Sequence, residues 1–156
     1  MKKFIIILLS FLVVSCGYHL RSGNSLAQSF PQIKLKMKSQ SLLKRPLINA
    51  LIASGVELKQ VSDNKASDLI LHKDSLLKVI QSIGANNQVQ EYRLEYDVDF
   101  SIADSEKKSI HLERDYSFDI QQITGGQQEE QTLRRQLAEE MARAIIRQLS
   151  LMQQEE

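Results

Sequence analysis

The clearest pattern in the chain is a strict alternation of apolar and polar residues between positions 92 and 102. One set is Tyr92, Leu94, Tyr96, Val98, Phe100 and Ile102, and the other is Arg93, Glu95, Asp97, Asp99 and Ser101. Residues that alternate with a period of two lie on opposite faces of a β-strand. The pattern therefore predicts a strand with one buried face and one solvated face.

Two neighbouring segments predict strands on either side of this one. Residues 69–83 are rich in Leu, Ile and Val, although apolar residues occupy both faces there. Residues 110–120 alternate again, with His111, Glu113 and Asp115 on the polar side. Residues 84–87 and 104–107 have the composition of turns. We expect these three strands to form an antiparallel meander with one apolar and one solvated face.

The remaining segments predict one more strand and two helices. Ile33, Leu35 and Met37 alternate with three lysines, Lys34, Lys36 and Lys38. The lysines favour either a protected edge strand or an anion site. Residues 41–54 and 127–152 have apolar residues at helical spacing. Pro46 is tolerated in a first turn but kinks a helix interior, so we expect the regular part of the earlier helix to begin near Arg45. Gly55 fits the residue after its end, and residues 56–58 could add a brief extended piece.

This order of elements predicts an α+β fold. We expect a two-layer sandwich of a four-stranded, mostly antiparallel sheet with two helices packed on one face. The chain has 156 residues, 42% of them hydrophobic, and shows no internal repeat. A chain of this length typically forms one domain, which we place at residues 32–156.

The first sixteen residues predict export and lipid attachment. Lys2 and Lys3 precede an apolar run, residues 4–14, that is too short to span a bilayer and is typical of a signal peptide. The run ends at Val13-Val14-Ser15-Cys16, which resembles the bacterial lipobox, and Cys16 is the single cysteine of the chain. We expect residues 1–15 to be removed and Cys16 to be acylated. In such lipoproteins, Gly17 after the cysteine resembles the pattern sorted to the outer membrane, and residues 16–31 would form a polar tether.

Charge and motif content exclude several classes of function. The formal net charge is +1, and removal of Lys2 and Lys3 makes it −1, so no basic field is available for nucleic acid. The sequence contains no nucleophile elbow, zinc-protease motif, P-loop or dinucleotide-binding glycine pattern. One cluster could hold a metal or do chemistry on the solvated face: Asp97, Asp99, His111, Glu113 and Asp115. Solvated strand faces carry such carboxylates routinely, so we predict no enzyme, no metal and no cofactor.

The residues around the cysteine carry a family resemblance. Cys16-Gly17-Tyr18-His19-Leu20-Arg21 resembles the start of mature proteins of the LptE family of lipopolysaccharide-assembly lipoproteins. The resemblance continues through Ser54-Gly55-Val56-Glu57-Leu58, Glu91-Tyr92 and the final helix, with Met141 and Ile146-Arg147-Gln148-Leu149. It covers the whole chain in element order.

The resemblance implies a function at the outer membrane. Members of this family sit inside the LptD β-barrel as its plug, assist its assembly and interact with lipopolysaccharide. The chain would thus be lipid-anchored on the periplasmic side. Phosphates of lipopolysaccharide are best bound by Lys or Arg, and the candidates are Lys34, Lys36, Lys38, Lys73, Lys78 and Arg93. Arg93 is preferred as the lone cation on a face of carboxylates. The alternatives are a scaffold lipoprotein of another outer-membrane assembly machine and a lipid-anchored enzyme or metal-binding domain.

Overall fold

The computed structural model of the protein describes residues 26–59, 66–118 and 123–152, and of residues 123–125 only the backbone. The predicted signal peptide, residues 1–15, and the predicted lipidation and sorting residues Cys16 and Gly17 lie outside these residues. The described elements are a 3-10 helix Leu26–Gln28, β1 Gln32–Lys36, α1 Lys44–Ala53, β2 Glu57–Leu58, β3 Ser67–Ile83, β4 Val89–Ile102, β5 Lys108–Ser117 and α2 Ile123–Met152.

The sheet has five strands in the order β2-β1-β3-β4-β5. β3, β4 and β5 form the predicted antiparallel meander, whereas β1 is parallel to both β2 and β3. The prediction of a four-stranded, mostly antiparallel sheet is therefore wrong in strand number and in the direction of the first strands. The fifth strand, β2, has two residues, which is too few to generate a recognisable period. It reaches its place through α1, which supplies the crossover that parallel strands require.

One apolar core joins the inner face of the sheet to both helices. Leu94, Val98 and Phe100 of β4 are fully buried, as predicted from the alternation. They share the core with Leu47 and Leu51 of α1 and with a stripe of α2: Leu137, Ala138, Met141, Ala142, Ile145 and Leu149. We call the opposite face of β3, β4 and β5 the outer sheet face.

The packed domain extends further toward the N-terminus than the predicted boundary at residue 32. Leu26 is buried in the core, and Phe30 donates its backbone N–H to the Leu26 carbonyl. Gly55, which follows α1, has a positive φ of 81°, and a Cβ there would lie 3.4 Å from the Ala27 Cβ. Residues 26–31 are thus part of the domain rather than of the polar tether, because apolar contacts hold them beside the end of α1.

A β-bulge at His72 changes the phase of the alternation along β3. Leu71 pairs with Phe100 and Lys73 with Asp99, so His72 is an extra residue in β3. Its Nε2 lies 2.9 Å from the Ser101 Oγ. An extra residue reverses the side on which later residues of the strand lie. Even-numbered residues from 74 to 80 therefore face the inner side, and odd-numbered residues from 73 to 79 face the outer side.

The last helix begins four residues earlier than predicted. It includes Gly125 and Gly126, which lie before the predicted start at residue 127. Glycine in a helix costs about 1 kcal/mol relative to alanine, and here the helix continues through both. A Cβ on Gly126 would lie 3.6 Å from the Phe118 ring, so the helix passes close to the end of β5. No helix within the described residues is long and apolar enough to cross a bilayer.

A charged sheet face as the candidate interface

Three neighbouring strands place their charged residues on the outer sheet face in register. Across β3, β4 and β5, one row is Lys73, Asp99 and Ser109, and the next is Ser75, Asp97 and His111. Nearer the turn between β3 and β4, Arg93 of β4 lies between Val79 of β3 and Asp115 of β5. Side chains directly opposite each other in paired strands are close enough to interact. The charged side chains of this face therefore interact with one another across the strands.

Arg93 forms the best-aligned pair on this face. Its Nε donates to Asp115 Oδ1 at 2.6 Å and its Nη2 to Asp115 Oδ2 at 3.0 Å. Its Nη1 also lies 3.2 Å from a Glu113 carboxylate oxygen. This two-point hydrogen bonding raises the pKa of Arg93 and lowers that of Asp115. A guanidinium held by two carboxylates has a fixed direction and little conformational freedom.

Asp97 is the centre of a second group. His111 Nδ1 lies 2.7 Å from Asp97 Oδ1, and Lys73 Nζ donates to Asp97 Oδ2 at 3.1 Å. The hydrogen bond to His111 and then the one from Lys73 lower the pKa of Asp97. The same contact with Asp97 raises the pKa of His111. Asp97 is therefore ionised at neutral pH, with Lys73 on β3 as its cationic partner. His111 on β5 becomes a second cationic partner when its ring is protonated.

Asp99 closes the row nearest the β4–β5 turn. Ser109 Oγ donates to Asp99 Oδ1 at 2.7 Å, and Lys107 Nζ lies 3.4 Å from Asp99 Oδ2. Both contacts favour the ionised carboxylate, and the pKa of Asp99 is lowered. Three aspartates on this face, Asp97, Asp99 and Asp115, thus have partners on a neighbouring strand or turn.

The three cations predicted to bind lipopolysaccharide lie in different surroundings. Lys73 and Arg93 both lie on the outer sheet face, and each is paired with a carboxylate. Arg93 is therefore not the lone cation there, because the bulge at His72 also turns Lys73 to this side. Lys78 lies opposite Leu94, on the inner side of the sheet. Among the other lysines considered, Lys36 pairs with Asp68 at 2.6 Å, Lys34 is half-buried and Lys38 is exposed.

Lys78 belongs to a cluster that the sequence did not reveal. Its Nζ lies 3.8 Å from the centre of the Tyr92 ring and donates to Glu130 Oε2 at 2.7 Å. Tyr116 donates its hydroxyl to the same Glu130 oxygen, and Arg134 donates to the other. Burial opposes ionisation of Glu130, but these hydrogen bonds outweigh it and lower its pKa to about 2. These contacts hold the N-terminal part of α2 against the end of the sheet that lies near the turn between β3 and β4.

The carboxylates of the outer sheet face do not assemble a metal site. Within the described part of the chain, no group of three or more His, Cys, Asp or Glu residues is arranged to hold a metal ion. The in-register spacing instead places a cation or hydroxyl beside the aspartates. The outer sheet face therefore presents charged side chains that hold one another in position for contact with another polar surface.

Comparison with known proteins gives a family assignment. The family model described as "LptE: Lipopolysaccharide-assembly" matches residues 30–149. That range contains every described strand and nearly all of α2, and it confirms the resemblance seen in the sequence. No match was found among curated proteins.

Solved structures share the fold. The minor lipoprotein from Acinetobacter baumannii is 24% identical, with a TM-score of 0.68, and the match covers 80% of this chain and 93% of that one. Rare lipoprotein B from Shewanella oneidensis is also 24% identical with a TM-score of 0.68, covering 78% and 96%. Lipoprotein B from Nitrosomonas europaea is 17% identical with a TM-score of 0.72, covering 80% and 85%. At these identities the likeness shows a common fold.

Proposed function

The chain belongs to the LptE family of lipopolysaccharide-assembly proteins, and we propose that it is the plug subunit of an outer-membrane lipopolysaccharide translocon. In this proposal Cys16 carries the lipid that holds the protein on the periplasmic side of the outer membrane. The domain fills the lumen of an LptD-type β-barrel, assists its assembly and helps to deliver lipopolysaccharide to the outer leaflet. The protein acts by binding and has no catalytic step.

The outer sheet face is the observation that supports this role. The lumen of a large outer-membrane barrel is polar, so a plug must present a polar surface to it. Ion pairs between neighbouring strands hold Arg93, Asp97 and Asp115 in place before any partner arrives. Ordering side chains at an interface costs about 0.5–1.5 kcal/mol each, and a pre-ordered face avoids much of that cost.

The charge on this face also indicates what the partner surface contains. Carboxylates outnumber cations on the outer sheet face. Its cations are Lys73 and Arg93, and its carboxylates include Glu91, Glu95, Asp97, Asp99, Glu113 and Asp115. Lys107 contacts Asp99 from the adjacent turn, which also contains Asp104 and Glu106. The net charge is therefore negative while His111 is neutral. Complementary potentials set orientation and association rate. We therefore expect basic residues on the facing wall of the barrel.

Charge reversal tests this interface. The triple variant D97K/D99K/D115K is expressed with an affinity tag, and the complex is purified in mild detergent from native membranes. We expect much less of the LptD-type barrel to co-purify than with the unmodified protein, because like charges would then face each other. The matched control, E129K/E139K/E140K, makes the same change in net charge on α2, at two exposed positions and one partly exposed position.

The outcome distinguishes the proposal from its alternative. Equal recovery of the barrel with both triple variants, in samples whose circular dichroism shows a folded chain, would remove the outer sheet face from the interface. Recovery of a different outer-membrane assembly complex with the unmodified protein would favour the scaffold alternative. Recovery of the barrel with the control alone supports the proposed orientation.

A further inference from the structure

β3 continues well beyond the strand beside it. It spans Ser67–Ile83, but β1 pairs only with residues 67–70. Among the described residues, β4 is the only strand that pairs along residues 72–83, and no turn or loop bonds to their backbone. Every second residue of such a strand directs its N–H and C=O groups away from its one neighbour. We call residues 72–83 the free edge of β3.

The chain between β2 and β3 is too short to cover this edge. Lys59 donates its backbone N–H to the Ile33 carbonyl, and Ser67 pairs with Ile33. Residues 60–65 therefore begin and end beside Ile33, and six residues can extend out and back by only about 12 Å. Ile80 lies thirteen residues beyond Ser67, about 43 Å along the strand.

Two other short segments outside the described residues are also remote from the free edge. Residues 119–122 join β5 to α2, so β4 and β3 itself lie between them and the free edge. Residues 153–156 follow Met152, which lies beside Ile102 at the far end of β4. Four residues extend by about 14 Å at most, which leaves the middle of the free edge uncovered. Residues 16–25 are long enough to reach it, and the experiment below distinguishes them from another occupant.

The charged side chains of the free edge are engaged within the domain. Edge strands are commonly protected by charged residues, lysine above all, by proline and by bulges. Lys73 and Lys78 each form an ion pair with a carboxylate of β4 or α2, and Asp74 accepts the Tyr96 hydroxyl. The segment contains no proline, and its bulges lie near its ends, which leaves residues 73–80 in unbroken register with β4.

Large apolar side chains are exposed along the same edge. The described part of the chain has six large apolar residues that are markedly exposed, and three of them are Leu77, Ile80 and Ile83, at 53%, 56% and 58%. By contrast, the exposed residues of β5, at the other end of the meander, are all polar. An added strand would satisfy the free N–H and C=O groups and also cover these apolar side chains. The free edge therefore favours an extended peptide over a folded surface.

The nature of a closed barrel narrows the source of that peptide. This step rests on the proposed function, in which a β-barrel surrounds the domain. Every strand of a barrel wall is already paired on both sides, so the wall offers side chains but no strand edge. An added strand must come from a loop or terminal segment of the barrel chain that enters the lumen. Leu77 and Val79 of the free edge also lie on the outer sheet face, so one partner can contact both.

We propose that the free edge of β3 binds an extended segment of the barrel chain as a sixth strand of the sheet. The segment pairs with residues 73–80 over about 25 Å. Its backbone hydrogen bonds supply affinity, and its alternating side chains supply specificity. Apolar side chains of the segment contact Leu77 and Val79 on the outer side and Ile80 on the inner side. This pairing fixes the orientation of the domain in the lumen.

Hydrogen exchange of backbone amides tests the added strand directly. The unmodified chain is compared free in mild detergent and in its complex with the barrel purified from native membranes. Amides of residues 73–80 that point away from β4 should exchange about tenfold more slowly in the complex, because each gains a hydrogen bond. Amides of β5, which borders the same outer sheet face, should change less. Equal exchange of residues 73–80 in the two samples would overturn the proposal.

Photocrosslinking in native membranes identifies the occupant. The photoreactive residue p-benzoylphenylalanine replaces Ile80, and in the matched control it replaces Ile52 of α1, which is equally exposed. Crosslinks from position 80 to a loop or terminal segment of the barrel chain support the proposal. Crosslinks to a wall strand, to residues 16–25 or to a second copy of the chain would overturn it, as would the same products from position 52.

Paired lysine substitutions separate this edge from the outer sheet face. I80K/I83K places charges on the free edge without changing the outer-face aspartates, and I52K/L151K makes the same change at exposed apolar positions of the two helices. Barrel recovery should fall several-fold only with I80K/I83K, in samples that circular dichroism shows to be folded. Full recovery with I80K/I83K would overturn this inference and leave the proposed function standing. Absence of the barrel from purifications of the unmodified chain would overturn the proposed function itself.

Discussion

Lys78 and Glu130 are 52 residues apart in the chain, yet the ammonium of one donates to the carboxylate of the other at 2.7 Å. The pair lies beside the rings of Tyr92, Tyr116 and Phe118. Only 30% of the Lys78 side chain and 18% of the Glu130 side chain are exposed. Removing either partner of a charged pair in such surroundings lowers the stability of the folded protein, because the charge of the other partner is left uncompensated.

Replacing Glu130 with Gln should therefore destabilise the protein by about 1–3 kcal/mol at neutral pH. The amide keeps an acceptor for Tyr116 but removes the charge opposite Lys78 and Arg134. Thermal unfolding followed by circular dichroism measures the effect, with E129Q, at an exposed neighbouring position, as control. In a double-mutant cycle, K78M/E130Q should lose less than the sum of the single variants. Strict additivity would mean that the two residues are not coupled.

The same residue predicts a pH dependence. The pKa of Glu130 is about 2 in the folded protein, against an ordinary value of 4.5. Because folding lowers this pKa, its contribution to stability is present above about pH 4.5 and is lost as the pH falls toward 2. The difference in unfolding free energy between the unmodified protein and E130Q should shrink over that window. A constant difference down to the lowest pH would contradict the assignment.

His111 should titrate above its ordinary pKa of 6.5 because Asp97 lies beside it. In D97N, the pKa of His111 measured by NMR from its ring signals should fall back toward 6.5. D104N, which changes an exposed aspartate in the β4–β5 turn, should leave it unchanged. Since folding raises this pKa, the stabilisation is fully present below about pH 6.5 and disappears as the pH rises through the folded value. A His111 titration unaffected by D97N would exclude the pair.

Tyr96 makes a polar contact inside the apolar core. The ring is almost fully buried, and the hydroxyl donates to Asp74 Oδ1 at 2.9 Å. Y96F should cost about 1–2 kcal/mol in unfolding free energy, because the Asp74 carboxylate loses a hydrogen bond in a half-buried position. Y92F removes a hydroxyl that has no hydrogen-bond partner within the described residues and should change stability by less than about 0.5 kcal/mol. Chemical denaturation of both variants provides the comparison, and equal effects would contradict a specific role of the Tyr96 hydroxyl.

The lipid anchor at Cys16 is a prediction from the sequence. C16A should leave the protein unprocessed or released from the membrane, because the side chain that would be acylated is absent. Fractionation of inner membrane, outer membrane and soluble periplasm with an antibody to the tag measures this. S22A, further along the predicted tether, serves as a control that retains both the cysteine and Gly17. Unchanged outer-membrane recovery of C16A would exclude lipidation as the means of attachment.

The order of residues along the chain was enough to predict the meander, the buried face of β4 and the existence of both long helices. These features depend on a contrast between apolar and polar residues that repeats along a short stretch of chain, so no knowledge of distant segments is needed. The turn at residues 84–87 was predicted from its local composition, because glycine and asparagine tolerate positive φ, and Asn87 adopts a φ of 62° there. The resemblance at residues 16–21 and in the later segments likewise indicated the family that the family model confirmed.

The face that certain residues occupy, and the direction of the first strands, became known only from the folded chain. Beyond the bulge at His72, the side on which Lys73 and Lys78 lie depends on pairing with β4, and the local sequence of β3 does not specify where an extra residue is inserted. The two-residue strand β2 exists only because α1 returns the chain beside β1. Glu130 meets Lys78 through the packing of α2 on the sheet. Such contacts join residues far apart in the chain, and their formation depends on the packing of the whole core.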